Sequence, residues 1–126
     1  MVHPYAQIIA EGGDIIFGEY CIIEERAKII NRVMKDEKGQ PIRRDMRIGS
    51  YNVFEVYSVV ESSDIGDLNE FQVRSIVQEG CKIENFCQVS ACMAVPSGTH
   101  LPTYSVVYDE KGNTRLNTGF TEDAKR

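Results

Sequence analysis

Residues 65–107 decide the fold, because a large apolar residue opens every group of six. Divided into sixes, this stretch reads IGDLNE-FQVRSI-VQEGCK-IENFCQ-VSACMA-VPSGTH-LPTYSV-V. The unbroken series comprises Ile65, Phe71, Val77, Ile83, Val89, Val95, Leu101 and Val107. Neither an amphipathic helix nor a half-buried strand has a period of six residues. A fixed short apolar period is typical of a parallel β-helix built from hexapeptide repeats.

A second series lies four places after the first and consists of small or medium residues. Its members are Asn69, Ser75, Cys81, Cys87, Met93, Thr99 and Ser105. Six residues cover one short strand and one corner, so three groups close a triangular coil of about eighteen residues. The apolar residue then fills the interior, and the small residue stands at the corner. We expect Asn52 and Asn69 to adopt left-handed backbone there, since asparagine tolerates it better than most residues.

The same period extends upstream, with interruptions, from Ile8 onward. The sequence therefore predicts an all-β fold, a left-handed parallel β-helix of about five coils over residues 1–108, followed by a C-terminal tail, residues 109–126. The period stops between about residues 31 and 47, which are polar and contain Gly39 and Pro41. We expect this segment to protrude from a corner as a loop.

Composition limits the classes of function. The chain has 126 residues, which suits one domain, and its net charge is −5. An acidic chain lacks the basic face that a nucleic-acid groove requires. No apolar run is long enough to span a bilayer, so we expect no direct membrane insertion. Residues 1–4 do not resemble a signal peptide, which makes the cytoplasm the expected location.

Four cysteines raise the question of a metal or disulfide site. Cys21, Cys81 and Cys87 occupy the small place of their hexads, whereas Cys92 falls outside the pattern. The sequence contains no C-x-x-C pair and only two histidines, so no zinc ligand set is apparent. We interpret the first three as buried thiols that pack like small apolar side chains, and expect Cys92 to be exposed. Metal and cofactor sites are not expected.

Candidate partner-binding residues come from two charged features. The loop at residues 31–47 is basic in an acidic protein, and Arg43 and Arg44 are expected at its tip, where they would contact a partner. Four glutamates share the second place of their hexads, which suggests an acidic stripe along the prism. They are Glu24, Glu55, Glu61 and Glu84. Such a stripe is either a solvated face or a docking strip for a basic partner.

Two enzymatic alternatives share this predicted fold. A gamma-class carbonic anhydrase needs three imidazoles around Zn²⁺, but the chain has only His3 and His100, which about five coils would separate by roughly 20 Å. A hexapeptide acyltransferase usually needs a general base, most often a histidine, beside a groove between subunits. The chain has no histidine in a middle coil. We therefore expect no catalytic residue.

Several stretches resemble the dynactin subunit 6 family. They are Ile8 to Gly13 (IIAEGG), Phe17 to Glu25 (FGEYCIIEE), Ala27 to Asn31 (AKIIN), Ile48 to Val56 (IGSYNVFEV) and Cys81 to Val107. The resemblance implies a non-catalytic adaptor subunit of the dynactin pointed-end complex. It also implies docking with a second β-helix subunit, dynactin subunit 5, beside other pointed-end subunits. A cytoskeleton-associated role in attaching cargo to dynein would follow.

Overall fold

The computed structural model describes residues 1–108 and the strand Thr114–Leu116. These residues form short strands separated by tight corners. In chain order the strands are β1 Gln7–Ala10, β2 Ile15–Phe17, β3 Ile22–Ile23, β4 Lys28–Asn31, β5 Met34–Lys35, β6 Pro41–Ile42, β7 Met46–Ile48, β8 Val53–Phe54, β9 Val59–Glu61, β10 Asp64–Ile65, β11 Glu70–Phe71, β12 Ile76–Val77, β13 Lys82–Ile83, β14 Gln88–Val89, β15 Ala94–Val95, β16 His100–Leu101, β17 Ser105–Val107 and β18 Thr114–Leu116. Within the described residues no helix could cross a membrane.

The strands stack into three parallel sheets, which are the faces of a triangular prism. Face 1 has the order β1-β4-β9-β12-β15, and face 2 has the order β2-β7-β10-β13-β16. Face 3 contains β3-β8-β11-β14-β17, and β18 pairs with β17 in the antiparallel direction. The described strands thus make five complete coils, and a bridge between Val2 and Ile23 begins a sixth. The predicted parallel β-helix is confirmed.

The apolar series fills the interior of the prism. Phe71, Val77 and Ile83 lie on three successive faces, and all three side chains are buried. Residues of the series also stack along each face, because the parallel register places one directly above another. On face 3 the rings of Phe54 and Phe71 are parallel within 6°, and their centroids are 4.9 Å apart. The period of six therefore produces one continuous core.

The predicted left-handed backbone at Asn52 and Asn69 is wrong. Positive φ occurs one residue earlier, at Tyr51 (60°) and Leu68 (59°). Both asparagine side chains point into the prism, where they are buried and form hydrogen bonds with backbone groups of the neighbouring coil. The carboxamide carries a donor and an acceptor, so it can satisfy buried N–H and C=O groups of a turning chain. This hydrogen bonding explains asparagine at the corner.

The predicted loop contains an antiparallel hairpin made of β5 and β6. Asp36 closes its turn, since its Oδ1 accepts hydrogen bonds from the backbone N–H groups of Lys38 and Gln40, each at 2.9 Å. Arg43 and Arg44 follow β6 and therefore lie at the base of the hairpin, not at its tip as predicted. The charged residues between β5 and β6 occupy the tip. The predicted C-terminal tail lies outside the described residues, except for β18.

Candidate functional site

The coil at the N-terminal end of the described prism exposes positions that later coils bury. Among the described strands, β1 pairs only with β4 and β2 only with β7, so both lie at the edges of their sheets. Val2 and Ile8 align with interior residues of the next coil, yet their side chains are 51% and 39% exposed. By contrast, the last coil buries Val95, Leu101 and Val107. An exposed strand edge next to apolar side chains can accept a matching coil.

The four glutamates expected to form one stripe lie on three different corners. We name corner 1–2, corner 2–3 and corner 3–1 by the faces they join. Glu24 and Glu55 follow stacked strands of face 3 and share corner 3–1. Glu61 ends β9 of face 1, whereas Glu84 follows β13 of face 2. Only residues about eighteen apart align along a three-sided coil, so a shared hexad place does not produce a stripe.

Three of these glutamates, one on each corner, have different electrostatic environments. Partial burial raises the pKa of Glu55, and a hydrogen bond and repulsion from the Glu70 carboxyl raise this pKa further. Glu61 accepts a hydrogen bond from Arg32 Nε at 2.7 Å, which ties the start of the hairpin to face 1. Glu84 contacts His100 Nε2, and this hydrogen bond lowers the pKa of Glu84.

The two candidate arginines also differ. Arg43 forms ion pairs with Asp14 at 3.1 Å and with Asp45 at 3.9 Å, although its side chain remains largely exposed. Arg44 lines a cleft of about 190 Å³ between the hairpin and corner 1–2, together with Met34 and Lys82. The structure separates both arginines from Glu55 on corner 3–1. It does bring Arg44 and Glu84 together, since both line an open groove of about 450 Å³ along face 2.

Corner 3–1 carries an alternating series of rings and guanidinium groups that sequence reasoning missed. The Arg26 guanidinium carbon lies 5.9 Å from the ring centroid of Tyr5 and 6.0 Å from that of Tyr57. On the other side of Tyr57, the Arg74 guanidinium carbon is 4.5 Å from the same centroid. Cation–π contacts of this kind hold long side chains in a fixed array. In the sequence, each of these residues directly precedes the small residue of its hexad. Comparing that position on every third side of the coil reveals the series.

The thiols and imidazoles lie as the sequence indicated. Cys21, Cys81 and Cys87 are buried, and Cys92 is exposed. Burial raises the pKa of the Cys81 and Cys87 thiols, which disfavours the reactive thiolate. His3 belongs to the N-terminal coil, where its backbone N–H donates to the Ile23 carbonyl. His100 lies in β16, in the last complete coil, at the opposite end of the prism. The two imidazoles therefore cannot share one ligand site within a chain.

Comparison with known proteins gives several sequence relatives, among them dynactin subunit 6 of different animals. No protein-family profile matches the chain. The chain is 40% identical over 118 residues to dynactin subunit 6 of Nematostella vectensis, an alignment that covers 92% of this chain and 64% of that protein. It is 34% identical to dynactin subunit 6 of Danio rerio, over 94% of this chain and 62% of that protein. It is 38% identical to dynactin subunit 6 of Xenopus tropicalis, over 79% of this chain and 53% of that protein.

The chain thus spans less than two thirds of the length of these curated relatives. Among solved structures, it is similar to a hexapeptide transferase family protein from Anaplasma phagocytophilum, with a TM-score of 0.65 over 91% of this chain and 77% of that one. At 14% identity this likeness concerns the fold alone. The resemblance inferred from the sequence is confirmed: the chain is a hexapeptide-repeat β-helix similar in sequence to dynactin subunit 6 over most of its length.

Proposed function

We propose that this chain is a non-catalytic structural subunit of dynactin, in a cytoplasmic assembly associated with the cytoskeleton. The observation that carries the proposal is the 40% identity to a dynactin subunit 6 over 92% of the chain. The interior supports a scaffold role, because fully buried side chains such as Phe54 and Phe71 fill it. In this role the chain contributes to attaching dynein to cargo, and its partners are other dynactin subunits.

The partner in direct contact is a second β-helix subunit similar to dynactin subunit 5, and the N-terminal coil edge is where it docks. Val2 and Ile8 supply apolar contact area, while β1 and β2 supply edge N–H and C=O groups. A β-helix coil presents the same strand spacing of about 4.8 Å and can continue all three sheets. Burying the edge would stabilise both proteins by covering apolar surface and pairing backbone groups.

A binding experiment with matched variants tests this docking. The purified chain is mixed with a purified dynactin subunit 5 and examined by analytical ultracentrifugation. We expect a stable heterodimer, at least tenfold weaker with Ile8→Asp. Ile76→Asp is the control, because Ile76 is similarly exposed but lies on an inner strand of face 1, three strands away from the N-terminal edge. Absence of a heterodimer, or equal weakening by both variants, would contradict docking at the coil edge. Urea unfolding of each variant checks that it is folded.

A hexapeptide acyltransferase is the alternative, and one observation favours it. His100 Nε2 contacts a Glu84 carboxylate oxygen, and such a pair can orient an imidazole as a general base. Against this function, both residues lie at the surface of the last coils, with side chains 56% and 35% exposed. Release of free thiol from acetyl-CoA in the presence of candidate amine and hydroxyl acceptors, lost in His100→Ala, would establish the alternative.

A further inference from the structure

Corner 2–3 carries a large apolar side chain on each of the five complete coils. We call this series the aromatic ridge: Tyr20, Tyr51, Leu68, Phe86 and Tyr104. The rings of Tyr20 and Tyr51 stack at 5.3 Å between centroids, and those of Phe86 and Tyr104 stack at 5.2 Å. At the strand spacing of about 4.8 Å, the four steps of the ridge span about 19 Å.

The N-terminal half of the ridge is strongly exposed. Tyr20, Tyr51 and Leu68 are 72%, 51% and 46% exposed. Beside them on face 3, the outward side chains of Ile22 and Val53 continue the apolar surface. Two neighbouring rows of apolar side chains therefore face solvent on the first coils. A contiguous apolar surface of this kind typically marks an interaction site.

The need to turn the chain at this corner does not explain why the residues of the ridge are large and apolar. All five have left-handed φ, between 56° and 69°, a conformation in which a side chain is disfavoured. Corner 1–2 turns with glycine, at Gly80 (77°) and Gly98 (75°), and corner 3–1 turns with residues such as Arg26 (60°) and Arg74 (59°). Left-handed φ is thus compatible with several residue types in this prism and does not itself select large apolar side chains. Contact with a partner supplies a reason for such side chains where they are exposed, on the first coils.

Charges next to the ridge indicate the chemistry of that partner. Glu19 directly precedes Tyr20 and Asp67 directly precedes Leu68, and both carboxylates are exposed. Glu70 lies in the outward row of face 3, in register with Val53. A basic rim on the partner would complement these carboxylates, whereas a second copy of this chain would bring like charges together.

The backbone of the ridge is already used within the prism. The Tyr51 N–H donates to the Glu19 carbonyl at 2.8 Å, and the Leu68 N–H donates to the Ser50 carbonyl at 2.9 Å. The corner therefore cannot take on an added strand through these groups. A partner must bind through side chains, with its own backbone hydrogen bonds already satisfied.

We propose that the aromatic ridge is a second docking surface, for a partner protein that presents an apolar patch bordered by lysine or arginine. This surface is separate from the N-terminal coil edge. Its rigidity favours binding, because the stacked rings lose little freedom when they are covered.

A peptide titration tests the proposal with a defined probe. The full chain is titrated with a fluorescent amphipathic peptide of leucine and lysine, and with a counterpart in which glutamate replaces lysine. We expect the lysine peptide to bind at least tenfold more tightly. Leu68→Asp should weaken it at least tenfold, and Ile76→Asp should leave it unchanged, since Ile76 is similarly exposed on face 1. Equal binding of both peptides, equal effects of both variants, or no binding would overturn the proposal.

Radical footprinting distinguishes a partner protein from the other possible occupants of the aromatic ridge. It also tests the ridge separately from the proposed function. Oxidation of Tyr20 and Tyr51 is compared with that of Tyr57, which lies on corner 3–1. Protection that appears only in the assembly isolated from cells supports a partner. Protection in the dilute isolated chain would assign the ridge to a segment of the same chain, and protection that grows with concentration would assign it to a second copy. An intact dynactin assembly with both tyrosines unprotected would overturn the ridge proposal alone.

Discussion

The backbone N–H of Asn69 donates a 2.9 Å hydrogen bond to Oδ1 of Asn52, one coil earlier, inside the prism. Asn69 repeats this arrangement toward the following coil, where its Oδ1 accepts from the Cys87 N–H at 2.8 Å and its Nδ2 donates to the Glu84 carbonyl at 2.8 Å. Corner 2–3 is therefore held from within by side-chain amides. The same corner carries the aromatic ridge on its outer side.

Removing the carboxamide of Asn69 should destabilise the folded protein. Asn69→Ala leaves the Cys87 N–H and the Glu84 carbonyl without the partners seen here, in a region shielded from water. We expect a loss of about 2–4 kcal/mol in the free energy of unfolding, since each unsatisfied buried group costs about 1–3 kcal/mol. Urea denaturation measures it. Gln88→Ala, on the outward side of face 3, should change stability by less than about 0.5 kcal/mol. Equal effects would refute the role of the Asn69 carboxamide.

Gly49 is predicted to be intolerant of any side chain. A Cβ at this position would lie 2.5 Å from the Gly66 carbonyl oxygen of the neighbouring coil. We expect Gly49→Ala to destabilise the fold by about 3 kcal/mol or more, because the coils must separate locally. Gly39→Ala provides the comparison, since a Cβ at this hairpin position meets no atom within 4 Å and only its φ of 77° is unfavourable. A thermal melt in which both variants lose equal stability would contradict this reasoning.

The stability of the prism should respond to the charge of Glu55. Its raised pKa means that the folded state favours the protonated carboxyl. This stabilisation is complete below the ordinary glutamate pKa and is lost as pH rises through the folded value. Glu55→Gln should therefore be more stable than the parent near pH 7, by at most about 1 kcal/mol, and the difference should shrink toward pH 4. Glu25→Gln, an exposed neighbour, controls for the change in net charge. A difference that grows on acidification would contradict the assignment.

Thiol labelling should distinguish one cysteine from three. Cys92 is exposed, whereas Cys21, Cys81 and Cys87 are buried. We expect N-ethylmaleimide to add once to the native chain within minutes and four times in denaturant, as measured by intact mass. Cys92→Ser should abolish the rapid addition. Rapid labelling of the native Cys92→Ser variant would show that the interior is open.

The apolar period predicted the interior well because every strand must place one large residue inward. Phe71, Val77 and Ile83 could be assigned to the core from spacing alone, and the structure buries all three. The backbone at Asn52 could not be assigned in this way. Its buried hydrogen bonds depend on the neighbouring coil, which a count along the chain does not contain.

Surface features were harder to predict, because alignment along the prism has a period near eighteen rather than six. Glu61 and Glu84 share a hexad place with Glu55, yet the three lie on different corners. The aromatic ridge went unnoticed for the same reason. Its spacing is seventeen between Tyr51 and Leu68, where one corner is shorter, and the hairpin enlarges the preceding interval. The partner-binding role assigned to Arg43, Arg44 and these glutamates stays a prediction.

We propose that this chain is a scaffold subunit of dynactin. Native mass spectrometry of the assembly purified through a tag on the chain, from its own cells, tests the claim most directly. We predict one copy of the chain together with a second hexapeptide-repeat subunit and other dynactin subunits. Recovery of the chain as a homotrimer without any dynactin subunit would contradict it.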